Sequence, residues 1–154
     1  MKSTDVHSPE VRSYNMSRIR SANTGPEMLI RRGLHSRGRR YRLHAVGLPG
    51  RPDLLFSKSR AVLLVHGCFW HGHSCPRFRM PATRTEFWSK KIENNVLRDQ
   101  RVYQELALQG WRTLVVWECS LKGRRKRPLS EVLDMCERFL DEETESMEIE
   151  GTWD

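Results

Sequence analysis

The eleven residues Val65-His66-Gly67-Cys68-Phe69-Trp70-His71-Gly72-His73-Ser74-Cys75 constrain the fold more than any other stretch of this chain. They put three imidazoles and two thiols into one short run, and a further thiol stands downstream in Trp117-Glu118-Cys119. Cys68, His73 and Cys75 are soft or borderline ligands of the kind zinc takes, and Cys119 can supply the fourth. His66 and His71 are then left for chemistry, and Phe69 and Trp70 for stacking. An alternative stays open on spacing alone. His71 and His73 both lie between the two thiols, so His66 and His71 can instead support the loop or bind the zinc.

The remaining composition narrows the class of molecule. With 154 residues, 38% apolar and 30% charged, the chain fits one soluble domain with its own core. No apolar run is long enough for a membrane span and the N-terminus lacks a secretory signal, so a cytoplasmic protein without membrane contact is expected. Four cysteines in that setting favour reduced thiols on a metal over disulfides. Cys136 reads as a buried thiol on an apolar helix face. The net charge of +8 hides an asymmetry: residues 128–154 hold ten acidic side chains and one basic, so the rest of the chain carries 26 basic against 9 acidic. Such a body calls for a polyanion such as DNA, while the acidic end reads as a solvated tail over residues 142–154.

Periodicity orders the elements. Residues 1–11 read as a flexible arm, residues 13–20 as a short basic helix, and a second helix is expected from Pro26 to about Arg37. Strands are expected over 39–44, 52–56 and 61–65, the last two joined by Ser57-Lys58-Ser59-Arg60. Thr83-Arg84-Thr85-Glu86 has capping-box spacing and opens a helix to Gln109, with Gly110 as its stop. A strand over 111–117 and a helix over 130–140 complete an α/β domain with a mixed central sheet, spanning residues 12–141.

Metal-assisted cleavage of a phosphodiester needs a carboxylate fixed on a rigid element and a way to activate water. Asp53 is the best placed, because Gly50-Arg51-Pro52-Asp53 opens a strand whose hairpin partner runs into the histidines. A hairpin brings Asp53 near Val65 and His66, although a turn aspartate is the plain alternative. Glu86 reads as a cap, Glu93, Asp99 and Glu105 as solvated helix charges, and Glu27 as a carboxylate favoured at a helix start.

Four motifs in order, Gly50-Arg51-Pro52-Asp53, Val65 to His71, Pro81-Ala82-Thr83-Arg84-Thr85-Glu86-Phe87-Trp88 and Val116-Trp117-Glu118-Cys119, closely resemble the very-short-patch-repair (Vsr) DNA mismatch endonucleases. The resemblance covers roughly residues 12 to 125. It implies a restriction-endonuclease-like fold and a magnesium-dependent nick 5′ to the thymine of a T:G mismatch, the lesion left when 5-methylcytosine deaminates. By the same resemblance, Asp53 and the main-chain carbonyl of Val65 bind Mg2+ and Glu27 reaches a metal-bound water. His66 and His71 act at the scissile phosphate, with His71 as general base. Cys68, His73, Cys75 and Cys119 hold a structural Zn2+. Phe69, Trp70 and Trp88 resemble the residues that wedge into the base stack, and Met16 approaches from the minor groove. Periodicity alone makes Trp88 a core residue of its helix.

Three features depart from patterns the resemblance brings, the first being Val65, which stands where a threonine can occur and is harmless if only its carbonyl binds metal. Gly72 and Ser74 interrupt what can be a continuous histidine run, leaving His73 as the obvious zinc ligand. There is also no Glu-x-Lys after the second strand, so histidines stand in for the lysine of restriction enzymes. The implied partner is double-stranded DNA carrying a T:G mismatch, with mismatch-repair proteins as further partners, a monomer as the active unit and the bacterial nucleoid as the place of action. Two other readings compete: a zinc-stabilised DNA-binding module that does not cut, and a general restriction-type endonuclease. The bases flanking the mismatch are not legible in the residues.

Overall fold

The computed structural model describes residues 23–153. Helix α1 (Gly25–Ser36) opens with Thr24, whose hydroxyl accepts the Glu27 N–H, and with Pro26 in the first turn. Strands β1 (Arg42–Leu43), β2 (Leu54–Phe56) and β3 (Ala61–His66) follow, then helix α2 (Thr85–Leu108), strand β4 (Arg112–Trp117), helix α3 (Leu129–Asp141) and strand β5 (Ser146–Ile149). The sheet runs β1-β2-β3-β4-β5 in chain order. Its first three strands pair antiparallel and β3, β4 and β5 pair parallel. No helix among the described residues is long and apolar enough to cross a membrane.

Alternation along the strands divides the core between two faces. Leu54, Phe56, Leu63, Leu114, Val116 and Ile149 pack with Ile30 and Leu34 of α1 and Val132, Cys136 and Phe139 of α3. Leu55, Val62, Leu64, Val115 and Trp117 pack on the other side with Leu106 of α2. The result is a mixed α/β domain with its sheet between helices, as the strand and helix periodicities predict. Cys136 is fully buried, and burial pushes its thiol up to about 12.

Three expectations need correction. The acidic end is not a solvated tail throughout: Ser146–Ile149 pairs along β4 from Thr113↔Ser146 to Val116↔Ile149. An open edge of β4 presents unpaired N–H and C=O groups, and Met147 and Ile149 supply the apolar contacts that seat a strand there. Acidic side chains of α3 also neutralise the body, Arg37 pairing with Asp134 and Glu137, and Arg39 with Glu137 and Asp141. The first strand is only Arg42–Leu43, because Arg39 is drawn to α3 and His44 turns the chain at φ +46°. The capping box does not form. Arg84 in the left-handed region precedes the helix, and the Thr85 hydroxyl donates back to the carbonyls of Pro81 and Ala82.

The parallel pair β3–β4 ends on His66↔Trp117. The histidine run and the Glu118–Ser120 turn therefore leave the sheet side by side. Since β2 is antiparallel to β3, its start also falls at this end, and with it Asp53. Crevices beyond the carboxyl ends of parallel strands are the usual binding places of α/β sheets.

Candidate active site and metal centre

Among the described residues, three clusters of side chains able to hold a cation lie at that end of the sheet. In the first, ligand atoms of Cys68, His73, Cys75 and Cys119 all lie within 4.8 Å of one another. Cys68 and Cys119 are buried, and His73 Nδ1 sits 3.6 Å from Cys119 Sγ. His73 Nε2 contacts Glu150 Oε1 at 3.1 Å, the outer carboxylate partner that commonly orients a metal-binding imidazole. The Cys119 thiol is pushed down to about 6, chiefly by its hydrogen bond with Cys68, against burial and with help from the Gly151 N–H at 3.3 Å. Three thiols and an imidazole are a donor set that fits a soft or borderline cation.

Two glycines make this packing possible. Gly72 has φ +63°, and a Cβ there would meet Val96 and Ile92 of α2 at 2.8 and 3.0 Å. Gly151 lies so close to the carbonyls of Arg125 and Cys119 that a Cβ would come within 2.6 Å of each. Both positions hold the loop and the last strand against the thiols.

The second cluster is His66, His71 and Asp99. His66 and His71 stack face to face with centroids 3.7 Å apart. His71 Nδ1 lies 2.6 Å from Asp99 Oδ2, and His66 Nδ1 lies 3.2 Å from the Tyr103 hydroxyl. Burial holds His66 well below the usual imidazole range, with the charges of His71 and Arg98 acting in the same direction. Asp99 is thus no solvated helix charge. Ile92, Asn95, Asp99 and Leu106 form the buried stripe of α2, which sets Asp99 under His71 while Asn95 donates to the Trp70 carbonyl.

The third cluster is Glu27, His44 and Asp53. Asp53 Oδ2 accepts the Val65 N–H at 2.7 Å, just beyond the last β2–β3 ladder pair. Glu27 is fully buried on α1, where it accepts from the Asn23 N–H, Arg31 and His44. Burial pushes the Asp53 carboxyl up to about 7; the Val65 N–H opposes the shift and the neighbouring Glu27 reinforces it. Two adjacent buried carboxylates and a nearby main chain are hard oxygen donors of the kind Mg2+ takes. Glu27 already receives three donors, which suits contact through water better than direct ligation.

A pH dependence follows. Folded Asp53 keeps its proton up to about pH 7, whereas the unfolded chain releases it near 3.8. Between those values the folded state binds more protons, so stability falls as pH rises. Asp53→Asn removes this slope. In magnesium-free buffer its stability relative to the parent protein is expected to grow between pH 5 and pH 8, by on the order of 2 kcal/mol. Urea melts of the two proteins across that range check it, and parallel curves would contradict it.

Phe69, Trp70 and Trp88 are half-buried and touch one another, with centroid separations of 5.1, 5.5 and 5.8 Å. Phe78 stacks on Phe69, and Phe87 meets Trp88. Trp88 therefore belongs to this aromatic group at the start of α2 and not to either core cluster. Met16 lies outside the described residues, as do the expected arm and basic helix.

The sequence signature described as "DNA mismatch endonuclease Vsr" matches residues 4–77. A type II nicking enzyme, V.XorIIP of Xanthomonas oryzae pv. oryzae, is 51% identical over 133 residues, 85% of this chain and 98% of the relative. The DNA mismatch endonuclease Vsr of Escherichia coli is 42% identical over 146 residues, 95% of this chain and 94% of that one. This chain belongs to the Vsr family. A further family member, the type II nicking enzyme V.NmeAIP of Neisseria meningitidis, is 42% identical over 79% of this chain and 86% of its own length. Family membership gives the three clusters a common frame. Sequence reasoning missed His44, Tyr103 and Glu150 and misread Asp99. The buried stripe of α2 carried a signal for Asp99, since polar residues at 95 and 99 interrupt an otherwise apolar spacing.

Proposed function

We propose that this protein is a strand-nicking DNA endonuclease that cuts 5′ to the thymine of a T:G mismatch, built on a restriction-endonuclease-like sheet. The observation that carries this reading is the placement of the buried Glu27–Asp53 carboxylates and the His66–His71–Asp99 group at the same end of the sheet, linked where Asp53 accepts the N–H of Val65, the residue before His66. Support comes also from relatives named as a mismatch endonuclease and as nicking enzymes, and from the basic body of the chain.

In this reading Asp53 and the Val65 carbonyl would hold Mg2+, and Glu27 would act through a water rather than as a direct ligand. When bound, the cation supplies positive charge to the scissile phosphate and the leaving oxygen. His71 donates its Nδ1–H to Asp99, which leaves Nε2 as the nitrogen able to take a proton from water, and Asp99 stabilises the imidazolium that results. His66 stays neutral in its buried place, so the stacked pair can accept one proton without facing like charges. The Tyr103 hydroxyl, its pKa raised chiefly by burial, donates to His66 Nδ1 and turns the other ring nitrogen into a donor toward phosphate. Cys68, His73, Cys75 and Cys119 would hold Zn2+, which would tie the histidine loop to the end of β4. One such site per chain suffices for a nick, so the active unit is a monomer.

Phe69, Trp70 and Trp88 form the wedge. A wobble pair is weakly stacked, so opening the helix there costs least. The experiment is a magnesium-dependent nicking assay on T:G duplexes with varied flanks beside their matched C:G counterparts. Cutting confined to the thymine strand of mismatched duplexes is expected; equal cutting of matched DNA makes the protein a general nicking enzyme, and binding without cutting makes it a DNA-binding module. Trp70→Ala is expected to narrow the affinity gap between T:G and C:G duplexes by about tenfold, while phosphate contacts keep the salt dependence steep. Equal losses on both duplexes would make Trp70 a packing residue.

A further inference from the structure

His44 has no part in the scheme above, yet the fold holds it in a costly conformation. Its φ of +46° lies in the left-handed region, where a non-glycine residue carries strain that tends to collect at working sites. Its N–H donates to the Asp53 carbonyl at 3.0 Å, which pins the imidazole beside the metal-binding carboxylates. His44 Nε2 is 2.9 Å from Glu27 Oε2, and ligand atoms of Glu27, His44 and Asp53 lie within 4.8 Å of one another. Glu27 Oε1 accepts from the Asn23 N–H at 2.8 Å and Oε2 from Arg31 at 3.1 Å. His44 can therefore turn its nitrogen away from Glu27 without leaving that buried carboxylate unsatisfied.

We propose that His44 is a direct ligand of the active-site cation, making the site a mixed nitrogen and oxygen one that prefers Mn2+ and similar first-row ions to Mg2+. The inference rests on the reading of Asp53 as a cation ligand. Magnesium favours oxygen and keeps its waters, whereas an imidazole nitrogen strengthens binding of first-row transition ions. The His44 side chain is 21% accessible beside a Glu27 side chain that is 1% accessible, so the cluster opens to solvent on its His44 side.

The test uses the zinc-loaded protein without DNA, titrated with Mn2+ and followed by electron paramagnetic resonance, with Mg2+ as competitor. The parent protein is expected to bind one Mn2+ at least about tenfold more tightly than Mg2+, with a directly bonded nitrogen in the pulsed spectrum. His44→Asn tolerates the left-handed backbone, so the fold is kept. It is expected to lose the nitrogen coupling and about tenfold or more in Mn2+ affinity, with Mg2+ affinity little changed. Persistence of the coupling in that variant, equal losses for both ions, or no Mn2+ preference in the parent protein would overturn the proposal while leaving Asp53 as a ligand. Asp53→Asn serves as the separate control. Retention of both Mn2+ binding and nicking there would overturn the reading of Asp53 itself, and the role of His44 with it.

Discussion

Asp53→Ala is expected to reduce single-turnover nicking by about 10³-fold or more, because direct charge stabilisation of a phosphoryl transition state contributes several kcal/mol. No neighbouring group can take its place. Glu27 is engaged by Asn23, Arg31 and His44, and Asp99 of the histidine group is committed to His71. Affinity for mismatched DNA is expected to hold, since Asp53 is buried at the sheet end and the change removes no phosphate contact. His71→Ala is expected to be similarly selective with a smaller loss, on the order of 10²-fold, as befits a general base. Quenched-flow cleavage beside a binding isotherm separates the two effects. Near-normal cleavage by either variant would remove that residue from the mechanism.

Cys119→Ala is the second large effect, and it falls on folding. Free energy of metal binding at such a site is free energy of folding, because the four donors are assembled only in the native state. Cys119 also receives the Gly151 N–H and sits against His73, so its loss unties both the histidine loop and the chain after β5. Stoichiometric zinc in the purified parent protein and its absence from the variant are expected. Destabilisation by about 3 kcal/mol or more should accompany it, or roughly 10 °C in melting temperature for a domain of this size. Full zinc retention, or a melting curve that does not move, would show that the four side chains are not its ligands.

Elements with a strong period were legible in the chain: α1, α2 and α3, the β2–β3 hairpin and β4 all lie within a residue or two of where apolar spacing and turn residues put them. β5 was not, because residues 142–154 read as charge, while pairing with a strand edge depends on two apolar side chains and on backbone groups that carry no sequence mark. Thr83 to Glu86 had the letters of a capping box without its geometry, since a single left-handed residue, Arg84, redirects the chain before the helix. The grouping of the thiols and of the histidines was legible because so dense a run of both residue types is rare. His44 was hidden, being one histidine in a basic stretch whose importance lies in a partner seventeen residues away on another element.

Neighbouring strands in the sheet are also neighbours in the sequence. A chain leaving the ribosome can therefore add strands one at a time to a growing edge, with β4 waiting on the helix crossover after β3. Until residues 146–149 are made, β4 presents an open edge carrying Leu114 and Val116, an invitation to pair with another nascent chain. The acidic side chains clustered around and just before β5 arrive together with the strand that closes that edge. Slowed or interrupted synthesis between β4 and β5 should thus yield aggregates.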